Sequence, residues 1–266
     1  MHALRKSLRK SLRKYRILQP LRLAYSIRLH PAGHVLFWLF RRRTLTMYDI
    51  GSHLGTSTNH YSFWFPQASF ELFEADPAVA AKCRELNPPN QRIRLHNFAC
   101  GDADGSAEFF TSKRPLDEDS TVDVGASGSL LQPSGHIKIF PQVPFAEVIK
   151  VEVRRLDGWI KETGTIAPSF IHMDVQGAEL LVLNGLGAYF ETVEAIWLEV
   201  ENQELYANQP LKPEIEEFFQ SRGWTKIIDT VNDIAGDQLW VSPISLNKLK
   251  GFGWFLHKVW FHPWFA

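Results

Sequence analysis

From residue 45 onward, short apolar runs alternate with stretches of helical period, and this alternation constrains the fold more than any single motif. The runs at 45–50, 70–74, 93–98, 170–174 and 195–200 read as strands, and 76–86, 178–186 and 213–222 as helices. Strands joined by helix-length connections pair in parallel, because the chain must cross back over the sheet before running in the same direction again. The expected fold is therefore a doubly wound, mostly parallel α/β sheet. Segments 224–230 and 238–241 lack a helix-length connection and are expected to close the sheet as an antiparallel pair. Between 110 and 147 lies a Ser/Gly/Pro-rich stretch with little periodicity, which reads as a lid, a binding loop or a disordered segment.

The formal net charge of zero conceals an asymmetry: residues 1–48 carry twelve Lys or Arg and no acid, so the other 17 bases face all 29 acids. Three parts are expected: a basic amphipathic arm over 1–43, one α/β domain over 44–245 and an aromatic amphipathic tail over 246–266. The arm repeats Leu-Arg-Lys-Ser with period four, which sets Leu4, Leu8, Leu12 and Tyr15 on one helical stripe among bases. The tail carries Trp254, Trp260 and Trp264, and Trp-rich segments with lysine flanks favour a membrane–water interface or pack as a helix on the domain. An anionic membrane is the expected partner of the arm, with nucleic acid as rival and a solvated arm as the plain alternative; no specific nucleic acid is expected. No apolar run reaches the ~18 residues that cross a bilayer, and the arm matches a transit peptide in composition but not a cleaved signal peptide. Cys83 and Cys100 are too few for a disulfide framework, which suits a reducing compartment. The expected location is cytoplasmic, peripheral on the inner face of the membrane.

Residues 48–55, Tyr-Asp-Ile-Gly-Ser-His-Leu-Gly, close the first strand and open the first helix. Gly51 and Gly55 let backbone approach a ligand at a helix N-terminus. Nineteen residues past Gly55, Glu74 ends the second strand, where an acid can accept both ribose hydroxyls of an adenosine cofactor. A turn glycine with a surface acid is the plain alternative. Dinucleotide folds prefer Gly-x-Gly-x-x-Gly, and this loop lacks the middle glycine and begins with Asp49. An acid there repels pyrophosphate and suits S-adenosylmethionine, which carries a sulfonium cation and no phosphate.

The chain resembles the FkbM-type methyltransferases. The resemblance rests on Asp49-Ile50-Gly51 with Gly55, residues 73–77 (Phe-Glu-Ala-Asp-Pro), 97–102 (Asn-Phe-Ala-Cys-Gly-Asp) followed by Gly105, and 126–130 (Ala-Ser-Gly-Ser-Leu). It continues through Val151, Val153 and Leu156-Asp157, then 171–179 (Ile-His-Met-Asp-Val-Gln-Gly-Ala-Glu) with Leu183-Asn184-Gly185. It runs from about 48 to 242 and departs at Ala75, at Gln176, and at Ser52-His53 in the glycine loop. It implies a class I methyltransferase fold, Rossmann-like, transferring methyl to a hydroxyl of a sugar, glycolipid or glycosylated product. By that analogy Asp49, Gly51 and Gly55 cradle the donor, Glu74 holds its ribose, and the Ala99–Asp102 turn lies along the adenine. Asp174 then faces the methyl group and the acceptor.

A sugar hydroxyl is a poor nucleophile at neutral pH, so a base or a metal should assist it. Asp174 is the candidate base. Asp174 with Glu199 or Glu201 is a candidate oxygen-ligand set for Mg²⁺, and Glu199 is equally read as a solvated or sheet-capping acid. Glu179 reads as a helix-capping acid, His172 as a core residue, and His53 and His136 as surface residues that could otherwise serve as bases. Ser127 and Ser129 lack a nucleophile elbow. Two other classes compete: a non-catalytic module of the same fold that binds membrane or nucleic acid, and a nucleotide-dependent oxidoreductase. Intact Asp49, Glu74 and Asp174 argue against the first, and the missing glycine against the second.

Overall fold

The computed structural model describes residues 19–88, 90–112 and 126–249. The chain opens with a helix over 19–29 (α1) and α2 (Gly33–Phe40), then β1 (Thr46–Ile50), α3 (Thr56–Trp64), β2 (Ser69–Phe73), α4 (Pro77–Leu86) and β3 (Ile93–His96). Next come β4 (Ala99–Cys100), β5 (Gly105–Ser112), α5 (His136–Ile139), β6 (Phe145–Arg154), α6 (Leu156–Thr163), β7 (Phe170–Met173) and α7 (Glu179–Gly185). The last elements are β8 (Ala195–Glu201), α8 (Lys212–Gln220), β9 (Thr225–Asp229), β10 (Ala235–Val241) and α9 (Pro243–Leu249).

Seven strands form one sheet in the order β3-β2-β1-β7-β8-β10-β9, and β10 pairs antiparallel with both neighbours. The other pairings are parallel. This is the doubly wound, class I methyltransferase arrangement expected, closed by the expected antiparallel pair. Every residue of β1 is buried, as a central strand covered by helices on both faces must be. One face packs against α6, α7 and α8 through Trp159, Val182 and Phe219; the other packs against α2 and α3 through Leu36, Phe40 and Trp64. Asp76 starts α4 by accepting from the amides of Ala78 and Val79, with Pro77 in the first turn, where its missing N–H costs nothing.

Three features differ from the sequence expectation. The run 93–98 is two strands, because β3 ends at His96 and Asn97 turns the chain away by donating to the carbonyls of Glu74 and Ala75. The 110–147 stretch is bounded by strands: β4, β6 and β5 build a second, three-stranded sheet. Its residues 126–144 are packed, with Ser129 paired to Phe110 and Pro133 bridged to Tyr206. Third, the charge boundary at 43/44 does not coincide with a packing boundary. Ile27, Leu36, Leu39 and Phe40 are buried on the sheet with Phe170 and Trp197. Leu249 of the tail joins the same cluster, and Glu194 binds both Arg43 (2.7 Å) and Lys248 (2.6 Å). The stripe of Leu4, Leu8, Leu12 and Tyr15, and the tryptophans of the tail, lie outside the described residues. Among the described residues no helix is long and apolar enough to cross a membrane.

Candidate active site

After β1 the chain continues to β2 on one side of the sheet, and after β7 to β8 on the other, so a crevice opens where β1 and β7 separate at their C-terminal ends. Gly51 turns the chain there with φ +75°, and its N–H and that of Ser52 donate to the Phe73 carbonyl. The Asp174 carbonyl crosses directly above it: a Cβ on Gly51 would lie 1.8 Å from that oxygen. Only glycine closes this turn and keeps β7 in register.

A narrow cleft of about 520 Å³, including its open mouth, lies over this turn. Gly51, Glu74 and Asp174 form its polar part, and Phe98, Ala99 and Phe109 its apolar wall, with 126–130 closing one side. Glu74 is buried, and its two carboxylate oxygens accept the N–H groups of His53 and Asp76, each at 2.9 Å. Burial pushes its pKa up to about 7, against those two amide bonds, which favour the charged form. Each oxygen keeps a further lone pair for a ligand hydroxyl. An apolar slot ending at a carboxylate suits a nucleoside, such as the adenosine of the donor that the sequence suggests.

The residues proposed from sequence separate into two groups. Gly51, Glu74, Ala99 and Asp174 meet at the cleft. Asp49 does not line it: its carboxylate accepts from Thr58 N–H and Oγ1 (3.1 and 2.5 Å) and sits 2.8 Å from His172 Nδ1, tying β1 to α3 and β7. Burial opposes a charged His172, and the Asp49 carboxylate prevails and raises its pKa. Gly55 faces α4, where a Cβ would meet the Asn87 amide at 2.8 Å. Asp102 is exposed, and its carbonyl accepts from Arg155. His53 borders the cleft with φ +48°. His136, expected at the surface, is buried among Phe140, Phe145 and Tyr206, which lowers its pKa. Ser129 is structural: its hydroxyl donates to the Gln176 carbonyl.

Beside Asp174 stands a group of acids. Glu179 and Glu201 are fully buried, Glu199 half-buried. Burial raises Glu179 to about 7 and Glu201 to about 9, and Asp174 adds its repulsion to both. Burial, then Asp174, raises Glu199 well above the usual range. Gly177 N–H donates to Glu179 Oε1 in the turn before α7, while Glu179 Oε2 and Glu201 Oε1 have no partner. Gln176 Nε2 lies 2.7 Å from Asp174 Oδ1 and 2.5 Å from Glu199 Oε2, and its Oε1 accepts from the Tyr206 hydroxyl at 2.8 Å. This donor set does not fit Mg²⁺ between Asp174 and Glu199: an amide N–H, which repels a cation, occupies the space. Among the described residues no group of three or more His, Cys, Asp or Glu is placed to hold a metal ion. Tyr206 and Phe109 carried no sequence signal, whereas 126–130 and Gln176 stood in the segments that carried the resemblance.

A family model for the methyltransferase FkbM domain matches residues 49–224. The 2-O-methyltransferase NoeI of Sinorhizobium fredii is 38% identical over 165 residues, 62% of this chain and 67% of that protein. Solved structures that overlap the chain include precorrin-6y C5,15-methyltransferase from Geobacter metallireducens (10% identity, TM-score 0.42, 79% of this chain and 87% of that one). Another is Aeropyrum pernix fibrillarin with natively bound S-adenosyl-L-methionine (11% identity, TM-score 0.42, 74% and 66%). The chain belongs to the FkbM-domain family and is an S-adenosylmethionine-dependent methyltransferase.

Proposed function

We propose that the protein methylates a hydroxyl of a sugar, glycolipid or glycosylated product, with Asp174 as proton acceptor. The carrying observation is that Asp174 borders the same cleft as Gly51 and Glu74, at the open end of the sheet's switch point. The name of the 2-O-methyltransferase relative supports oxygen as the atom methylated. S-adenosylmethionine, when bound, supplies a methyl group made electrophilic by its sulfonium. Glu74 holds the ribose hydroxyls, Phe98 and Ala99 face the adenine, and the Asp174 carboxylate favours the cation. Asp174 takes the proton that the acceptor hydroxyl loses.

Mass spectrometry of reactions with a panel of sugars and glycolipids should show methylated products. Asp174→Asn should bind the donor nearly as wild type does and turn over ~10²-fold more slowly. Full activity in Asp174→Asn removes it as the base. Methylation confined to nitrogen or carbon acceptors removes the hydroxyl reading.

A second reading concerns where the enzyme works: α1 docks on an anionic membrane and brings the cleft to a lipid-linked acceptor. Leu21, Tyr25 and Leu29 are each about two-thirds exposed at helical spacing of four, while Leu23 and Ile27 on the opposite face meet the core. Core packing accounts for one apolar stripe and leaves the other unexplained. Exposed Arg22 and Arg28 flank it, and no acid occurs before Asp49, so the surface suits anionic headgroups.

A further inference from the structure

Gln176 is held more tightly than a turn residue needs. Its φ of +54° is one that L side chains rarely adopt, and Gly177 follows at +95°. Its carbonyl accepts from Ser129 Oγ at 2.7 Å, its Oε1 accepts from Tyr206, and its Nε2 reaches both Asp174 and Glu199. The amide orientation suits its neighbours: Asp174 takes the Nε2 donor, and the Tyr206 hydroxyl, which also reaches the Ser127 carbonyl at 3.0 Å, meets Oε1 as an acceptor. Tyr206 is fully buried, and burial followed by Glu199 raises its pKa, which keeps its hydroxyl a donor throughout the working range. An unusual backbone conformation clamped from several sides marks a position that the surroundings over-determine.

We infer that Gln176 is a positioning residue whose amide, fixed by Tyr206, takes the place between Asp174 and Glu199 that a divalent cation would need, and so aims the Asp174 carboxylate at the cleft. The inference rests on Asp174 being the proton acceptor. An Nε2–H donor does what a bridging cation does geometrically: it holds two carboxyl groups side by side. Electrostatically it differs, because a neutral amide adds no positive charge beside the carboxylate. The charges that reach Asp174 come from Glu199 and Glu201 on β8, Glu179 on α7, His172 on β7 and Asp237 on β10. All but His172 are acids, so loss of the bridging amide leaves Asp174 beside carboxyl groups whose ionisation its own charge disfavours.

The test is Gln176→Glu in the full chain, read by kinetics and by calorimetry with Mn²⁺ alone. The variant should lose ~10²-fold in kcat while donor Kd changes by less than ~3-fold, because the damage falls on the proton acceptor and not on the cradle. Its acidic pH limb for kcat should move up by about one unit or more, since a third carboxyl favours protonation. It should also bind Mn²⁺ where wild type does not, because three carboxylates now converge. Tyr206→Phe keeps the fold with only a hydroxyl removed, and should lower kcat ~10-fold at unchanged donor Kd. Wild-type Mn²⁺ binding, or kcat near wild type in either variant, overturns the inference, as does a loss confined to donor Kd. Should Gln176→Glu not fold, Tyr206→Phe decides alone. Full activity of Asp174→Asn instead sinks the base reading, whatever position 176 does.

Discussion

At the scale of residues, Glu74 and Asp174 were legible because the sequence places acids at strand ends, and strand ends are where an open α/β sheet binds ligands. Asp49 sits in the same kind of position and behaves differently. Sequence gives its place on β1 but not what its carboxylate meets, and Thr58 and His172 engage it below the cleft. Gln176 was noted as a departure within the resembling segment 171–179, yet its bridge to Glu199 depends on a strand twenty-three residues later. Glu74 yields a test with a definite sign. Its pKa of about 7 means that the ionised form, proposed to accept the ribose hydroxyls, is lost as pH falls below neutrality. Donor affinity at pH 6 should be about tenfold weaker than at pH 8 if only the carboxylate binds. Glu74→Gln should bind weakly at both values and flatten the dependence. Titration calorimetry at the two pH values measures this, and wild-type affinity that is level or rises toward pH 6 refutes the role.

At the scale of elements, the inner parallel strands were legible because burial on both faces demands mainly apolar residues, although Asp49, Glu71 and His172 interrupt them. The second sheet was not. β6 alternates, with only Val151 and Val153 buried, so it has one wet face and no apolar run. β5 begins with exposed Gly105 and Ser106, which reads as loop. The helix α1 was not legible: the arm's period was read at Leu4, Leu8, Leu12 and Tyr15, and charge alone could not show that Ile27 reaches the core. Its outer stripe belongs to no packing in the described chain and makes the membrane reading testable. Full-length wild type should co-sediment with equimolar phosphatidylcholine–phosphatidylglycerol vesicles and stay in solution with phosphatidylcholine alone. Replacing Leu21, Tyr25 and Leu29 together by Ser should reduce vesicle binding ~10-fold or more while donor affinity is kept, because each buried side chain contributes apolar transfer energy. Wild type that stays in solution with both vesicles overturns the reading. So does an unaffected triple variant, or RNA binding that persists when vesicle binding is absent.

At the scale of the whole molecule, the acids around Asp174 set how stability follows pH. Glu179 at about 7, Glu201 at about 9 and Glu199 well above its ordinary range are raised, by burial first, over the ~4.3 of an unfolded glutamate. Folding therefore takes up protons at these sites, and their contribution is fully present below about pH 4.3 and lost as pH rises through the folded values. Two other sets act in the opposite sense. Asp229, lowered to about 2 by Lys226 and Lys212 against its burial, stabilises above its unfolded value and loses that as pH falls toward 2. His30, lowered to about 4 by burial and by His172, costs stability as pH falls from about 6.5 toward 4. Between about pH 4.3 and 6.5 the three raised glutamates outweigh the one lowered histidine, so the sum places maximum stability well on the acid side of neutrality, in a chain whose formal charge is zero at pH 7. Thermal unfolding should show Tm falling steadily from pH 6 to pH 9. Glu201→Gln replaces a buried carboxyl with a neutral group of the same shape, so its Tm should fall less over that window and exceed wild type at pH 9. A wild-type Tm that is level or rising between pH 6 and pH 9 would show that the acids ionise without cost. In that case the acid-rich wall is better solvated than its burial implies, and its carboxyl groups are ionised at neutral pH.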